Sequence, residues 1–223
     1  MIICGEGMAL KMKFVVEVDE EFRDLFKRQK YEEIILPALN RSTKLIVDLP
    51  LEHVKKQSNS EPDFVDVMGN KYDVKVLFDD PQGKLLGERK YDLIDWFKSM
   101  QNEIEEFSEA IGARNLSIVK NMKLYDVMRS RLESVDEDEI AILFIPYPIG
   151  YDSQNQSFIQ GATDFLQAVY DQLHDSVKCK KVYFLYPSLE EDVYVLRDAQ
   201  TRAREFVVAP ELRNIIKYKV KIV

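Results

Sequence analysis

The 223-residue chain reads as a mixed α/β protein, and three observations predict that class. Short runs rich in β-branched and aromatic residues alternate with period two, among them MKFVVEV at 12–18 and KYKVKI at 217–222. Between such runs lie long segments with apolar residues at three-and-four spacing, the clearest being Leu93, Phe97, Met100, Ile104, Phe107 and Ile111. The two kinds of segment interleave along the chain instead of separating into halves.

In chain order, 12–18 is the first predicted strand. Asp19 then offers an N-cap, with Glu20 and Glu21 in the first turn, where the helix dipole favours negative charge. That helix is expected to run to about residue 39 through Phe22, Leu25, Phe26, Ile34, Ile35 and Leu39, with Pro37 disturbing its last turn. A strand is predicted at 44–49, KLIVDL, closed by Pro50, and Gln57-Ser58-Asn59-Ser60 forms a loop. Residues 62–68 and 72–78 read as a hairpin turning at Gly69-Asn70, ended by Asp80-Pro81-Gln82-Gly83. Helices are predicted over 91–111, with Gly112 as C-cap, and over 115–132, whose polar positions include Lys120, Lys123, Arg129 and Arg131. The acidic run Asp136 to Glu139 reads as a solvated loop before a strand at 140–146. A helix at 156–174, strands at 181–187 and 192–197, and a strand at 214–223 complete the pattern. The strands at 140–146 and 181–187 are expected to lie parallel around the helix at 156–174. No repeat, low-complexity tract or flexible linker divides the chain, so 1–223 is read as one domain.

Composition narrows the function. Apolar residues make up 46% and charged residues 31%, an ordinary globular mix without a disorder signature. A net charge of -8 argues against nucleic-acid binding by overall charge alone. The charge is segregated, however: from residue 197 onward seven Lys or Arg face three Asp or Glu. Cys4 and Cys179 form no metal-spaced cluster and no disulfide framework. With His53 and His174 the only histidines, a histidine-rich zinc site is excluded and a Ser-His-Asp triad disfavoured. No glycine-rich phosphate loop is present, and no run has signal-peptide or membrane-spanning character. A cytoplasmic protein without membrane association is expected.

The oddity lies in the hairpin. Alternation sets Asp73, Lys75 and Leu77 on one face of its second strand and Val74, Val76 and Phe78 on the other. A carboxylate and an ammonium thus stand side by side, and Asp63 opens the first strand. Hydrolysis of a phosphodiester calls for such groups: carboxylates to hold a divalent ion that activates water, and a cation to stabilise the charge growing on phosphate. The turn decides whether they meet. A two-residue turn puts Phe64 opposite Lys75 and sends Asp63 to the far face unless Asp63 lies outside the regular pairing; an odd-length loop or a bulge brings Asp63 to the face of Asp73 and Lys75.

Pro62-Asp63 and Asp73-Val74-Lys75 resemble the motif of the PD-(D/E)XK nuclease superfamily. That family's core is a helix, a three-stranded antiparallel element, a further helix and a further strand, and the predicted elements of 19–146 follow this order with one extra helix. The resemblance implies a restriction-endonuclease-like core, a mixed central sheet flanked by helices, with 147–223 as a C-terminal elaboration. It implies metal-dependent cleavage of DNA, with RNA as the alternative. Asp63 and Asp73 would ligate Mg²⁺ or Mn²⁺ together with the Val74 backbone carbonyl, Lys75 would be the catalytic lysine, and a glutamate of the first helix, Glu33 or Glu32, would assist. A homodimer or a complex partner is left open.

Blander uses of the same residues stand beside this. Asp63, Asp73 and Lys75 could form a solvent-exposed ion pair worth little. Lys217, Lys219 and Lys221 suit an edge strand guarded against aggregation better than a phosphate track. Tyr147, Tyr151, Tyr183 and Tyr186 suit core and rim packing better than base stacking. His174 needs no function, and His53 sits exposed near the hairpin. A second hypothesis is a non-catalytic α/β binding or sensor module whose ligand meets Tyr151 to Asn155 at the carboxyl edge of the sheet. A third is a nuclease-like scaffold for protein interaction.

Overall fold

The computed structural model describes residues 12–18, 31–55, 61–77, 103, 106, 116–145, 156–187, 193–210 and 216–222. The elements are β1 (Met12–Val18), α1 (Tyr31–Leu39), β2 (Glu52–His53), β3 (Phe64–Val65), β4 (Lys71–Val76), α2 (Lys123–Glu133), β5 (Glu139–Phe144), α3 (Gln156–Leu173), β6 (Lys181–Pro187), β7 (Val193–Asp198), β8 (Arg204–Val208) and β9 (Ile216–Ile222). Short 3₁₀ turns precede α2 at Leu116–Asn121 and follow α3 at His174–Ser176.

A seven-stranded sheet in the order β2-β3-β4-β5-β6-β7-β8 forms the centre. β4, β5 and β6 run parallel, and the flanking pairs are antiparallel. The expected parallel pair around α3 is therefore β5–β6. β5 reads EIAILF and is buried along its whole length, as a strand covered on both faces should be. One face carries Ala141, Leu143, Val182, Phe184 and Val195 and packs against Leu124, Met128 and Leu132 of α2 and Phe165, Leu166, Val169, Tyr170 and Leu173 of α3. The other carries Ile140, Ile142, Phe144, Tyr183, Leu185, Leu196 and Val207 and meets Ile35, Ala38 and Leu39 of α1 together with Ile46 and Leu51. β1 and β9 pair separately and antiparallel, with Glu17 opposite Lys217. Among the described residues no helix is long and apolar enough to cross a membrane.

The structure corrects several expectations. Residues 44–49 form no strand. Their backbone groups are met by side chains instead: the Glu205 carboxylate accepts from the amides of Thr43 (2.6 Å), Lys44 and Leu45 (3.2 Å each) and from the Ser42 and Thr43 hydroxyls, Ser42 Oγ accepts from Ile46, and the Tyr183 hydroxyl donates to Leu45 O. With the amides of Lys44, Leu45 and Ile46 satisfied this way the first half of the segment needs no ladder, and the first antiparallel strand is β2, at 52–53. The helix predicted over 115–132 is broken at Met122, whose backbone is extended and offers no side-chain cap. Glu103, in helical backbone, supplies that cap from a distance, accepting from the amides of Lys123 (2.7 Å) and Leu124 (3.2 Å). Glu139 leaves the acidic loop to start β5 and is buried, and burial pushes its carboxyl above the ordinary range. β8 had no counterpart in the sequence reading. Tyr183 and Tyr186 are core residues. The predicted helix at 91–111, apart from Glu103 and Glu106, and residues 19–30, 147 and 151–155 lie outside the described residues.

Candidate functional site

The site depends on the β3–β4 hairpin. Its turn is a three-residue loop, Val67-Met68-Gly69, closed by Asp66 and Asn70, and not the two-residue turn expected at Gly69-Asn70. Gly69 takes φ +81°, the left-handed conformation such loops need at their last position. Asp66 fixes the geometry: one carboxylate oxygen accepts from the amides of Met68 and Asn70 (2.9 Å each), the other from the Asn70 side chain (2.8 Å) and the Tyr72 hydroxyl (3.0 Å). Burial pushes the Asp66 carboxyl up, but these bonds prevail and hold it below the ordinary value.

An odd loop sets the register. Phe64 pairs with Tyr72 and Val65 with Lys71, and there the ladder ends. Asp63 lies one residue outside it, its amide bonded to Tyr72 O. From there its carboxyl meets Asp73, to which it is hydrogen-bonded, beside Lys75. On β5, Ala141 and Leu143 stand beside Asp73 and Lys75, which places the group on the sheet face covered by α2 and α3.

The geometry is tight. Lys75 Nζ lies 2.6 Å from Asp73 Oδ2. Asp63 Oδ2 accepts from the Val74 amide at 2.7 Å, while the Asp63 amide donates to Tyr72 O at 2.8 Å. Amide and carbonyl of one strand residue share an edge, so the Val74 carbonyl also points to the Asp63 side of β4. Arg131 of α2 reaches the same edge, with Nε donating to Val76 O at 3.2 Å.

Burial departs from expectation. Asp73 and Lys75 were expected to face solvent, yet Asp63 is 5% and Asp73 6% exposed, and the Lys75 side chain retains 23%. The packed helices account for it. Desolvation raises the Asp73 carboxyl to about 7; Lys75 pulls it down, and the adjoining Asp63 carboxyl, hydrogen-bonded to it, pushes it up again. Asp73 thus keeps a proton that it would lose in water.

That donor set fits a small divalent ion. Mg²⁺ takes one or two carboxylates, with carbonyls and waters completing its shell; here two carboxyls in contact and a neighbouring backbone carbonyl converge. Glu33 is exposed and Glu32 half-buried in the first turn of α1, and among the described residues no group of three or more His, Cys, Asp or Glu gathers. His53 is exposed on β2, its ring 5.0 Å from that of Phe64. Cys179 is a free, buried thiol raised by desolvation.

Sequence reasoning missed the clamp by Asp66 and the approach of Arg131. The first had a signal: Asp66 three residues before Gly69 marks an Asx-type turn with a left-handed exit. The second had none, because it depends on how α2 lies on the sheet. Comparison with protein-family models, with curated proteins and with solved structures found no match.

Proposed function

We propose that the protein is a divalent-metal-dependent phosphodiesterase acting inside the cell on nucleic acid, DNA before RNA, through a restriction-endonuclease-like core. One observation carries the reading: the Asp63 and Asp73 carboxyls are in hydrogen-bonded contact, with Lys75 2.6 Å from the second. The order of elements agrees with it. α1, the antiparallel strands β2–β4, α2, and β5 parallel to β4 follow the sequence expected of that core, with β2 standing where a strand at 44–49 was predicted.

Asp63, Asp73 and the Val74 carbonyl would hold Mg²⁺ or Mn²⁺. When bound, the ion supplies an activated water and offsets charge on the phosphate. The chain's own groups do the rest. The Val74 amide fixes the orientation of Asp63. Lys75 has three ammonium protons, and its bond to Asp73 engages one. The others are placed to orient water and to stabilise developing negative charge. Covering by α2 and α3 lowers the local dielectric and strengthens each of these interactions.

The test is calorimetric titration of Mg²⁺ and Mn²⁺ into the wild type and Asp73→Ala, paired with nicking of plasmid and single-stranded DNA. Binding and cleavage should be present in the wild type and lost together in the variant. Metal must displace the proton held by the pair, so affinity should rise from pH 6 to pH 8. A wild type that binds neither ion at millimolar concentration, with nucleic acid present, refutes the reading.

A further inference from the structure

The register of the sheet carries the row of Lys75 to the opposite side of the molecule. Lys75 pairs with Leu143, Leu143 with Phe184, Phe184 with Arg197 and Arg197 with Arg204. All five lie on the face of α2 and α3. The helices bury Leu143 and Phe184, but at β7 and β8 the cover ends. Arg197 is half-buried and Arg204 exposed, and the next residues on the same face of β8, Phe206 and Val208, are 59% and 58% exposed.

Stability does not account for this patch. Like charges directly opposite on neighbouring strands repel. Neither arginine forms an ion pair among the described residues, and Arg197 Nε, shut off from solvent, has no hydrogen-bond partner. The acidic residues next in sequence are engaged elsewhere: Asp198 binds Lys181 at 2.9 Å and the amides of Gln200 and Thr201, and Glu205 holds Ser42 to Leu45 from the other face. The Arg204 guanidinium lies over one face of the Phe206 ring at 5.7 Å, and the ring stays largely exposed beside it.

We propose that Arg197, Arg204 and Phe206 form a docking surface for single-stranded nucleic acid, the arginines meeting phosphates and Phe206 stacking on a base. Charge complementarity selects a polyanion, and the exposed aromatic selects unpaired bases over a duplex or an acidic peptide. The surface lies about 19 Å from Lys75, four strand spacings across one sheet face. A strand held there extends on the side of the catalytic group, around the helices that cover the middle of the row. The inference rests on the nuclease reading for its substrate class, but not for its test.

Fluorescence anisotropy of a labelled oligothymidylate, measured in EDTA at low salt, reads binding without cleavage. The wild type should bind, and Phe206→Ala should weaken binding about tenfold, the effect of losing one stacked base. Arg204→Ala should reduce the salt slope by about 0.7, as expected for one single-strand phosphate contact. Both substitutions are at exposed positions, and both variants should retain the wild type's metal titration. Wild-type affinity in both variants overturns the proposal, as does a wild type that fails to bind the oligonucleotide. Duplex bound as tightly as single strand, or full displacement by polyaspartate, overturns it in favour of a duplex or an acidic protein partner. Each of these failures leaves the metal titration and nicking assays to decide the nuclease reading separately.

Discussion

Asp73→Asn should make the metal-free protein more stable at pH 8 and change little at pH 5. The wild-type carboxyl titrates near 3.8 when unfolded and near 7 when folded, chiefly because it is desolvated. Between those values the folded state holds a proton that the unfolded state has lost, so unfolding releases it and stability falls as pH rises. The contribution is fully present below the unfolded value and gone above the folded one. Linkage puts the whole effect at about 4 kcal/mol, of which about 2–3 kcal/mol falls between pH 5 and pH 8. Asparagine keeps the shape and never ionises. Urea unfolding of both proteins in EDTA at pH 5, 6, 7 and 8 isolates the effect, because other titrating groups, Glu139 and Glu103 among them, are common to both. The wild type should lose about 2–3 kcal/mol relative to Asp73→Asn across that range. Curves that stay parallel within about 0.5 kcal/mol, or a wild type that gains on the variant, would refute the account of a buried carboxyl pair.

Lys75→Ala should abolish nicking while leaving metal affinity within about tenfold, because the ammonium touches Asp73 without being a ligand; it should also push the Asp73 carboxyl further up, visible as a metal-binding midpoint at higher pH. Glu205→Ala strips the partner from three amides and two hydroxyls at once, and urea unfolding should show a loss of about 3–5 kcal/mol; a loss under about 1 kcal/mol would mean that water replaces the carboxylate freely. Gly69→Ala meets no atom within 4 Å, so its cost is conformational alone, about 1–2 kcal/mol by the same measurement. Gly69→Asn should cost less, since asparagine tolerates that conformation.

Period and composition made much of the fold legible. β1, β6 and the body of α3 fall where alternation and three-four spacing set them, because each depends on its own residues. The failures share a cause in distant partners. Residues 44–49 have strand-forming side chains, yet a carboxylate about 160 positions away claims their amides. α2 has no cap at its own N-terminus, and its start is set by Glu103, twenty residues earlier in the chain. At the site, the identities of Asp63, Asp73 and Lys75 were readable, but their meeting was not. It turns on one residue of loop length and on the αL backbone at Gly69. The burial of Asp73 was also hidden, since alternation names a face without saying what covers it.

The three-residue turn has a consequence for how this hairpin can change. Phe64 and Tyr72 oppose each other across an even interval, so the side of the sheet on which Phe64 emerges is an arithmetic property of the chain between them, and Asp63 follows Phe64 directly at the end of the ladder. Adding a residue pair keeps that register and merely lengthens the tip. Adding or deleting a single residue, however innocuous its chemistry, turns Phe64 out of its core and carries Asp63 away from Asp73 unless a bulge absorbs the change. Insertions here are thus sorted by parity before they are sorted by size. The tip at Val67 and Met68 is exposed, and a single deletion there separates the two carboxyls while every motif residue remains in the sequence.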